Sequence, residues 1–180
     1  MQLPLYKILK NGIRAKLDRM HSEEQEEVRK LLNLVIVEGK TYPQNQLLSQ
    51  SEFVNYWLSW DAFVVKVESE FTIYDPKEIL GAFYLKPNFP GRCSHICNAG
   101  FIVQPQMRGQ GIGRFMGEAM LEIAASLGFE AVMFNLVFAS NIASINLWKS
   151  LEFETIGRIK NGVKLDAGEV VDALIMYRQL

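Results

Sequence analysis

Gly109, Gly111 and Gly113 alternate between Arg108 and Arg114, directly ahead of a strongly periodic apolar segment. Glycine reaches positive φ and admits close approach to the backbone, so the run Arg108-Gly109-Gln110-Gly111-Ile112-Gly113-Arg114 can turn successive N–H groups into one concavity. A helix beginning there adds its unpaired first-turn donors and the positive end of its dipole. The combination suits a pyrophosphate, with Arg108 and Arg114 adding charge-assisted contacts at the rim. A ligand-free strand-to-helix connection uses the same glycines, so the pattern alone leaves both readings open. Two other phosphate loops fit poorly. A Walker loop needs Gly-Lys-Ser or Gly-Lys-Thr where this chain has Gly113-Arg114-Phe115. A dinucleotide fold needs an acidic residue about 20 residues on, and Glu130 opens a strand instead of ending one.

Two carboxamides, Asn98 and Asn135, interrupt otherwise apolar strand patterns. A buried carboxamide without partners costs about 1–3 kcal/mol, so each must bond either backbone groups at a bulge or strand edge, or a ligand. Cys93, His95 and Cys97 offer another constellation. At about 3.3 Å per residue the two thiols stand about 13 Å apart in a strand, beyond the roughly 7 Å that a disulfide spans. Neighbours two residues apart converge poorly on one ion and no fourth ligand is evident, so the expectation is free thiols, no metal, and a reducing compartment.

The elements that must position these groups follow from periodicity and punctuation. Residues 22–39 read as a helix with a Ser22/Gln25 capping box and Gly39 as its stop, and residues 52–57 as a second, shorter one. Residues 63–67 and 79–86 read as antiparallel strands joined by a polar hairpin loop over 68–77. A longer strand spans 94–103, where Asn98-Ala99-Gly100 suggest a bulge or a close backbone approach. Ile112, Phe115, Met116, Ala119, Met120, Ile123 and Leu127 define an amphipathic helix that Gly128 ends. A nearly all-apolar strand over 131–138 and a short helix capped by Asn141 follow. Strands over 154–160 and 170–177 flank an Asn161-Gly162 turn. The order predicts a mixed α/β layered fold in a single domain over 1–180, whose first 50 residues form an amino-terminal helical region.

Bulk properties narrow the partners. The 180 residues, 49% of them hydrophobic, are enough to close a core. With 19 basic and 20 acidic side chains there is no broad positive field for nucleic acid. No apolar run reaches the roughly 18 residues of a membrane span, and no secretory signal is evident. The expectation is a soluble cytoplasmic protein, a mitochondrial location also being open, that binds neither nucleic acid nor membrane.

Val103-x-Pro105-x-x-Arg108-Gly109-x-Gly111-x-Gly113 resembles the acetyl-coenzyme A pyrophosphate loop of the GNAT superfamily of N-acetyltransferases. Asn141-x-x-Ser144-x-x-Leu147-Trp148-x-x-Leu151-x-Phe153 resembles that superfamily's second signature, one strand later. Residues 39–44, 83–88, 92–101 and 134–138 are similar to segments of the fungal L-azetidine-2-carboxylate acetyltransferases, which acetylate proline analogues and related imino acids. This closer likeness runs from about Gly39 to the carboxyl terminus.

The resemblance implies the GNAT fold, a mixed, mostly antiparallel sheet with one splayed parallel pair flanked by helices, and acetyl-CoA as cosubstrate. It implies that Phe101, Ile102 and Val103 face the coenzyme by their backbone, that the Arg108–Arg114 turn takes the pyrophosphate, and that Asn141 caps its helix and also touches the coenzyme. It places Asn98 where it holds a carboxylate or imino group and Asn135 where it polarises the reacting centre or positions the nucleophile. The reaction implied is direct attack in a ternary complex by the ring nitrogen of a small imino acid, such as azetidine-2-carboxylate or a proline-pathway intermediate. It also suggests a homodimer. Phe138, Tyr42, Trp57 and Trp60 are candidate apolar walls. Two departures stand out. Trp148 occupies the place where many relatives carry an acidic tyrosine, and residues 94–103 hold no carboxylate to serve as base. A water relay is the simplest substitute. His95 is a further candidate, although it lies on the opposite strand face from Asn98 unless the bulge turns it. Another small amine or a polyamine as acceptor, or a non-catalytic acyl-CoA sensor, are the alternatives.

Overall fold

Alternating exposure along residues 5–19 builds a first hairpin, β1 (Leu5–Ile8) and β2 (Arg14–Arg19), which reverses near Asn11-Gly12 with Gly12 at φ +83°. The computed structural model describes residues 2–68, 78–166 and 168–180. The chain continues through α1 (Gln25–Glu38), α2 (Gln50–Trp57), β3 (Asp61–Val67), β4 (Ile79–Pro87), β5 (Ile96–Val103), α3 (Ile112–Ser126), β6 (Ala131–Phe138), α4 (Ile142–Ser150), β7 (Glu154–Lys164) and β8 (Val170–Gln179). Among the described residues, eight strands form one sheet in the order β1-β2-β3-β4-β5-β6-β8-β7. Its neighbouring strands run antiparallel except β5 and β6, which are parallel.

Side chains alternate across this sheet and feed two apolar layers. Phe63, Val65, Phe83, Leu85, Cys97 and Ala99 point to the face covered by α3 and α4, where they meet Met116, Met120 and Trp148. Val64, Ala82, Tyr84 and Ile102 point to the other face, against Leu32 and Val35 of α1 and Phe53 and Trp57 of α2. Each large apolar side chain buried in this way contributes about 1.5–3 kcal/mol of transfer free energy. Close approach of α3 depends on Gly117, where a Cβ would come within 2.7 Å of Leu151 and 3.1 Å of Trp148. No described helix is long and apolar enough to cross a membrane.

The mixed α/β architecture and the parallel pair agree with expectation, and several local features differ. Residues 1–50 are not a helical region, because they carry the β1–β2 hairpin as well as α1. A 3-10 turn at Ser22–Glu24 precedes α1, and its box is one residue earlier than expected, the His21 N–H donating to the Glu24 carboxylate at 2.6 Å. Cys93 lies in a second 3-10 turn ahead of β5, not in the strand, and both thiols are free. Of the two features expected at Asn98-Ala99-Gly100, the bulge is absent, whereas the backbone at Gly100 is closely approached by the Tyr84 and Tyr42 side chains. The β4–β5 register is unbroken from Gly81↔Val103 to Pro87↔Cys97, and the irregularity sits in β6, between Phe134 and Val137. Asn161-Gly162 is not the closing turn but an irregularity inside β7, with the Asn161 N–H donating to the Asp172 carboxylate at 2.8 Å. The chain reverses later, where the Leu165 N–H donates to the Glu169 carbonyl at 2.8 Å. The expected 68–77 loop lies, apart from Glu68, outside the described residues.

Candidate active site

The parallel pair opens the sheet. β5 and β6 are in register only at Ile96↔Ala131 and Cys97↔Val132, after which the two strands part. On its other side β5 keeps β4, and two bonds fix the phase of that ladder: the Asn88 N–H donates to the Ile96 carbonyl at 2.8 Å and the Gln104 N–H to the Leu80 carbonyl at 2.9 Å. Antiparallel bonding alternates, so Asn98, Gly100 and Ile102 bond β4 while Ala99, Phe101 and Val103 turn their N–H and C=O groups toward the splay. Of the three residues expected to face a coenzyme by their backbone, Phe101 and Val103 have groups aimed there, whereas Ile102 is 2% exposed and bonds β4.

A cavity of about 300 Å³ occupies the opening. Asn98, Asn135, Phe138 and Asn141 line it together with Phe101, Phe134 and Trp148. The two strand carboxamides bond neither a bulge nor a strand edge, since both meet the side chain of Asn88, just past the end of β4. Asn98 Nδ2 donates to Asn88 Oδ1 at 3.1 Å and Asn135 Nδ2 to the same oxygen at 2.7 Å, while Asn88 Nδ2 donates to Asn135 Oδ1 at 3.0 Å. These bonds leave N–H donors unused on Asn98 and Asn135. The Asn98 carboxamide oxygen has no partner among the described residues. Asn141 accepts the Ser144 N–H at 3.2 Å as the cap of α4, and Trp148 packs against Phe101 and Phe134 with ring centroids at 4.8 and 4.5 Å.

The far wall is built from phenols. Tyr84 meets Trp57 edge-on at 4.9 Å, Tyr42 stacks on the same indole at 6.2 Å, and the Tyr56 and Tyr84 hydroxyls are 3.5 Å apart. Burial pushes the Tyr42 and Tyr84 phenols well above the ordinary tyrosine range, so both stay protonated at neutral pH. The buried Tyr42 hydroxyl has no hydrogen-bond partner among the described residues. Gly100 makes room for this wall, because a Cβ there would overlap the Tyr84 ring and fall 2.6 Å from the Tyr42 hydroxyl. Thus Asn98 and Gly100 break the apolar pattern of β5 through what their side-chain positions face, not through a bulge. Trp57 lies beneath the tyrosines, and Trp60 is 55% exposed and outside the cavity. His95 is exposed ahead of β5 and does not line the cavity either.

The glycine run leads from β5 into α3. Gly109 and Gly111 take φ +80° and +94°, and the space where their side chains would stand is open. Gly111 is the helix cap and has no side chain, so the first-turn N–H groups of α3 receive no side-chain cap. Gly113 has a different duty. A Cβ there would meet Leu147 at 3.3 Å, so this glycine brings α3 against α4. The Lys10 N–H at the tip of the first hairpin donates to the Gln110 carbonyl at 3.2 Å, and Ile112 is buried in the core. Arg108 forms a two-pronged pair with Glu38 at 3.1 and 2.6 Å, and Arg114 reaches Ser150 Oγ at 2.6 Å and Glu118 at 3.4 Å. Open space over two positive-φ glycines, uncapped helix donors and inward-facing backbone groups on β5 fit an elongated phosphate-bearing cosubstrate such as acetyl-CoA.

Asn88, Tyr84 and Lys86 escaped the sequence reading as site residues. A signal existed, because Tyr84, Lys86 and Asn88 stand at alternate positions where an apolar strand ends, which aligns three polar side chains on one face.

The sequence model of the Acetyltransferase (GNAT) family matches residues 35–153. N-acetyltransferase aca1 of Schizosaccharomyces pombe is 43% identical over 155 residues, covering 80% of this chain and 74% of that protein. Among solved structures, a GCN5-related N-acetyltransferase from Kribbella flavida superposes with TM-score 0.83 at 24% identity, over 92% of this chain and 98% of that one. A phosphinothricin acetyltransferase from Sinorhizobium meliloti in complex with AcCoA superposes with TM-score 0.81 at 18% identity, over 92% and 88%.

Proposed function

Because the chain belongs to the GNAT acetyltransferase family and is an acetyl-CoA-dependent N-acetyltransferase, we propose that its acceptor is a small imino acid such as azetidine-2-carboxylate or a proline-pathway intermediate, acetylated at the ring nitrogen in a ternary complex. The observation that carries this reading is the Asn98–Asn88–Asn135 carboxamide cluster beside a small cavity in the splay, which Tyr42, Tyr56, Tyr84, Phe101, Phe134, Phe138 and Trp148 help to line. Two carboxamides with unused donors and acceptors in apolar surroundings need a polar, compact occupant.

Acetyl-CoA supplies an activated acetyl thioester. The pyrophosphate rests on Gly109, Gly111 and the first turn of α3, with Arg108 and Arg114 at the rim, and the arm follows the Phe101 and Val103 backbone past Asn141. Asn98 and Asn135 orient the acceptor so that its nitrogen lone pair meets the acetyl carbon, and binding energy from these contacts reduces the entropic part of the barrier. The new C–N bond replaces the C–S bond, whose electron pair leaves with the CoA sulfur as a thiolate; the proton of the amine passes to water, and the thiolate takes one from water to leave as CoA thiol. Among the described residues, neither a carboxylate nor an imidazole lines the cavity to accept it. The apolar wall favours the neutral amine by desolvation. In the same reading two copies pair, which covers exposed apolar side chains of β7 such as Ile156 and Ile159.

The test is thiol release from acetyl-CoA on addition of azetidine-2-carboxylate. Turnover by the wild type, lost in Asn98→Ala and Asn135→Ala while both variants keep the wild-type circular dichroism spectrum, is the expected result. Release with other small amines and none with imino acids would overturn the substrate assignment.

A further inference from the structure

Lys86 is the one charged side chain lining the cavity among the described residues, and no mechanism step above uses it. It joins none of the ion pairs formed among those residues. Its ammonium lies over two tyrosine faces, 5.1 Å from the Tyr84 ring centroid and 5.6 Å from that of Tyr56. Those faces hold the cation in place but accept none of its N–H donors in the ordinary sense, so its full charge remains available to an anion.

Register puts this charge beside the carboxamides. Lys86 on β4 is the direct cross-strand partner of Asn98 on β5, so the two side chains stand on the same sheet face with Cβ atoms about 4.5–5.5 Å apart. An amino or imino acid carries its carboxylate one carbon from its nitrogen, a separation that two neighbouring side chains of this kind can bracket. The protein's overall charge of -1 provides no attraction for such an anion, so local charge must. In a half-enclosed site with apolar walls, one unneutralised ammonium attracts a carboxylate more strongly than it would in water. It also repels a polyamine.

We propose that Lys86 binds the acceptor's carboxylate and thereby selects α-carboxylated amines over neutral and cationic ones, while Asn98 and Asn135 serve the nitrogen end. The proposal rests on the small-amine acceptor reading above and narrows it to anionic acceptors. Lys86 is here a specificity-determining residue that touches substrate, not a proton-transfer group.

The experiment compares azetidine-2-carboxylate with its carboxamide, which keeps the ring and the nitrogen and removes the charge, in the wild type, Lys86→Met, Lys86→Gln and Lys86→Arg. Thiol release gives kcat and KM, and calorimetry in the presence of CoA gives acceptor affinity. The wild type is expected to favour the carboxylate, Lys86→Met to raise its KM about 10-fold or more with a smaller change in kcat, and Lys86→Arg to retain most of the preference. The carboxamide should respond to neither change by more than about twofold. Lys86→Gln answers the same question should Lys86→Met fail to fold. Equal losses on both acceptors, or an intact preference in the neutral variants, would overturn the assignment. If the wild type acetylates neither compound, the imino-acid function falls. Calorimetry then decides Lys86 alone: carboxylate binding that the neutral variants lose and Lys86→Arg keeps upholds it, and binding that is absent or indifferent to these variants overturns it.

Discussion

Asn88 and Asn135 exchange two carboxamide hydrogen bonds, at 2.7 and 3.0 Å, beside the open end of the β5–β6 splay. Asn98 bonds the same Asn88 oxygen, so one residue beyond β4 sets the orientation of both strand carboxamides. Asn88→Ala should leave Asn98 and Asn135 free to rotate and lower kcat about 10- to 100-fold, because misplacement on the ångström scale has that effect on positioned reactants. The KM for acetyl-CoA should hold. Asn88→Asp keeps the acceptor but cannot donate to Asn135, so its turnover should fall between the two. Wild-type kcat in Asn88→Ala would show that the carboxamides need no such support.

Gly100→Ala tests the phenolic wall. The new methyl would overlap the Tyr84 ring and come within 2.6 Å of the Tyr42 hydroxyl, and both side chains are pinned against Trp57. Overpacking of this kind costs about 1–3 kcal/mol. A lowered denaturation midpoint together with a raised acceptor KM is expected, read by urea titration and by steady-state kinetics. An unchanged acceptor KM would place the acceptor away from the tyrosines.

Sequence periodicity carried α3 and β6 almost to their ends, because a continuous apolar stripe and a continuous apolar run leave little choice of period. The β1–β2 hairpin was harder to read. Its strands are short, with no β1 side chain fully buried and only Ala15 and Leu17 fully buried in β2, so the Asn11-Gly12 turn has little periodic support on either side. In the site, the glycine turn and the two strand carboxamides were legible as breaks in local pattern. Lys86 and Asn88 were not, since a lysine and an asparagine near a strand end look like ordinary solvated residues until the β4–β5 register sets them against Asn98. Ile102 shows the same limit from the other side. Which strand residues turn their backbone toward a cleft depends on ladder phase, and composition says nothing about phase.

The glycines of the loop should separate in their effects. Gly111→Ala forces an alanine to φ +94° at the mouth of α3, a strain of about 1–2 kcal/mol, and crowds the uncapped N–H groups. The KM for acetyl-CoA should rise about 10-fold while that for the acceptor stays, as expected for loss of a phosphate cradle. Gly113 has ordinary helical φ and faces only the end of the Leu147 side chain, so Gly113→Ala should change acetyl-CoA KM far less. Equal effects of the two substitutions would argue that the loop acts through packing alone.

The two thiols should differ in reactivity and in what they do to stability. Cys93 is exposed, whereas burial on the α3 face of β5 pushes the Cys97 thiol up to about 12 from an ordinary 9.0. At pH 8 the folded protein should therefore react with DTNB at one thiol and the guanidinium-unfolded protein at two. The same shift fixes a sign. Above about pH 9 the unfolded chain releases the Cys97 proton while the folded chain keeps it, so the folded state binds more protons and stability falls as pH rises. The contribution from keeping this thiol neutral is complete below about pH 9 and is lost as pH climbs through about 12. Chemical denaturation from pH 8 to 11 should show that decline in the wild type and a shallower one in Cys97→Ala, which cannot ionise. Parallel curves for the two proteins would mean that Cys97 ionises as readily folded as unfolded.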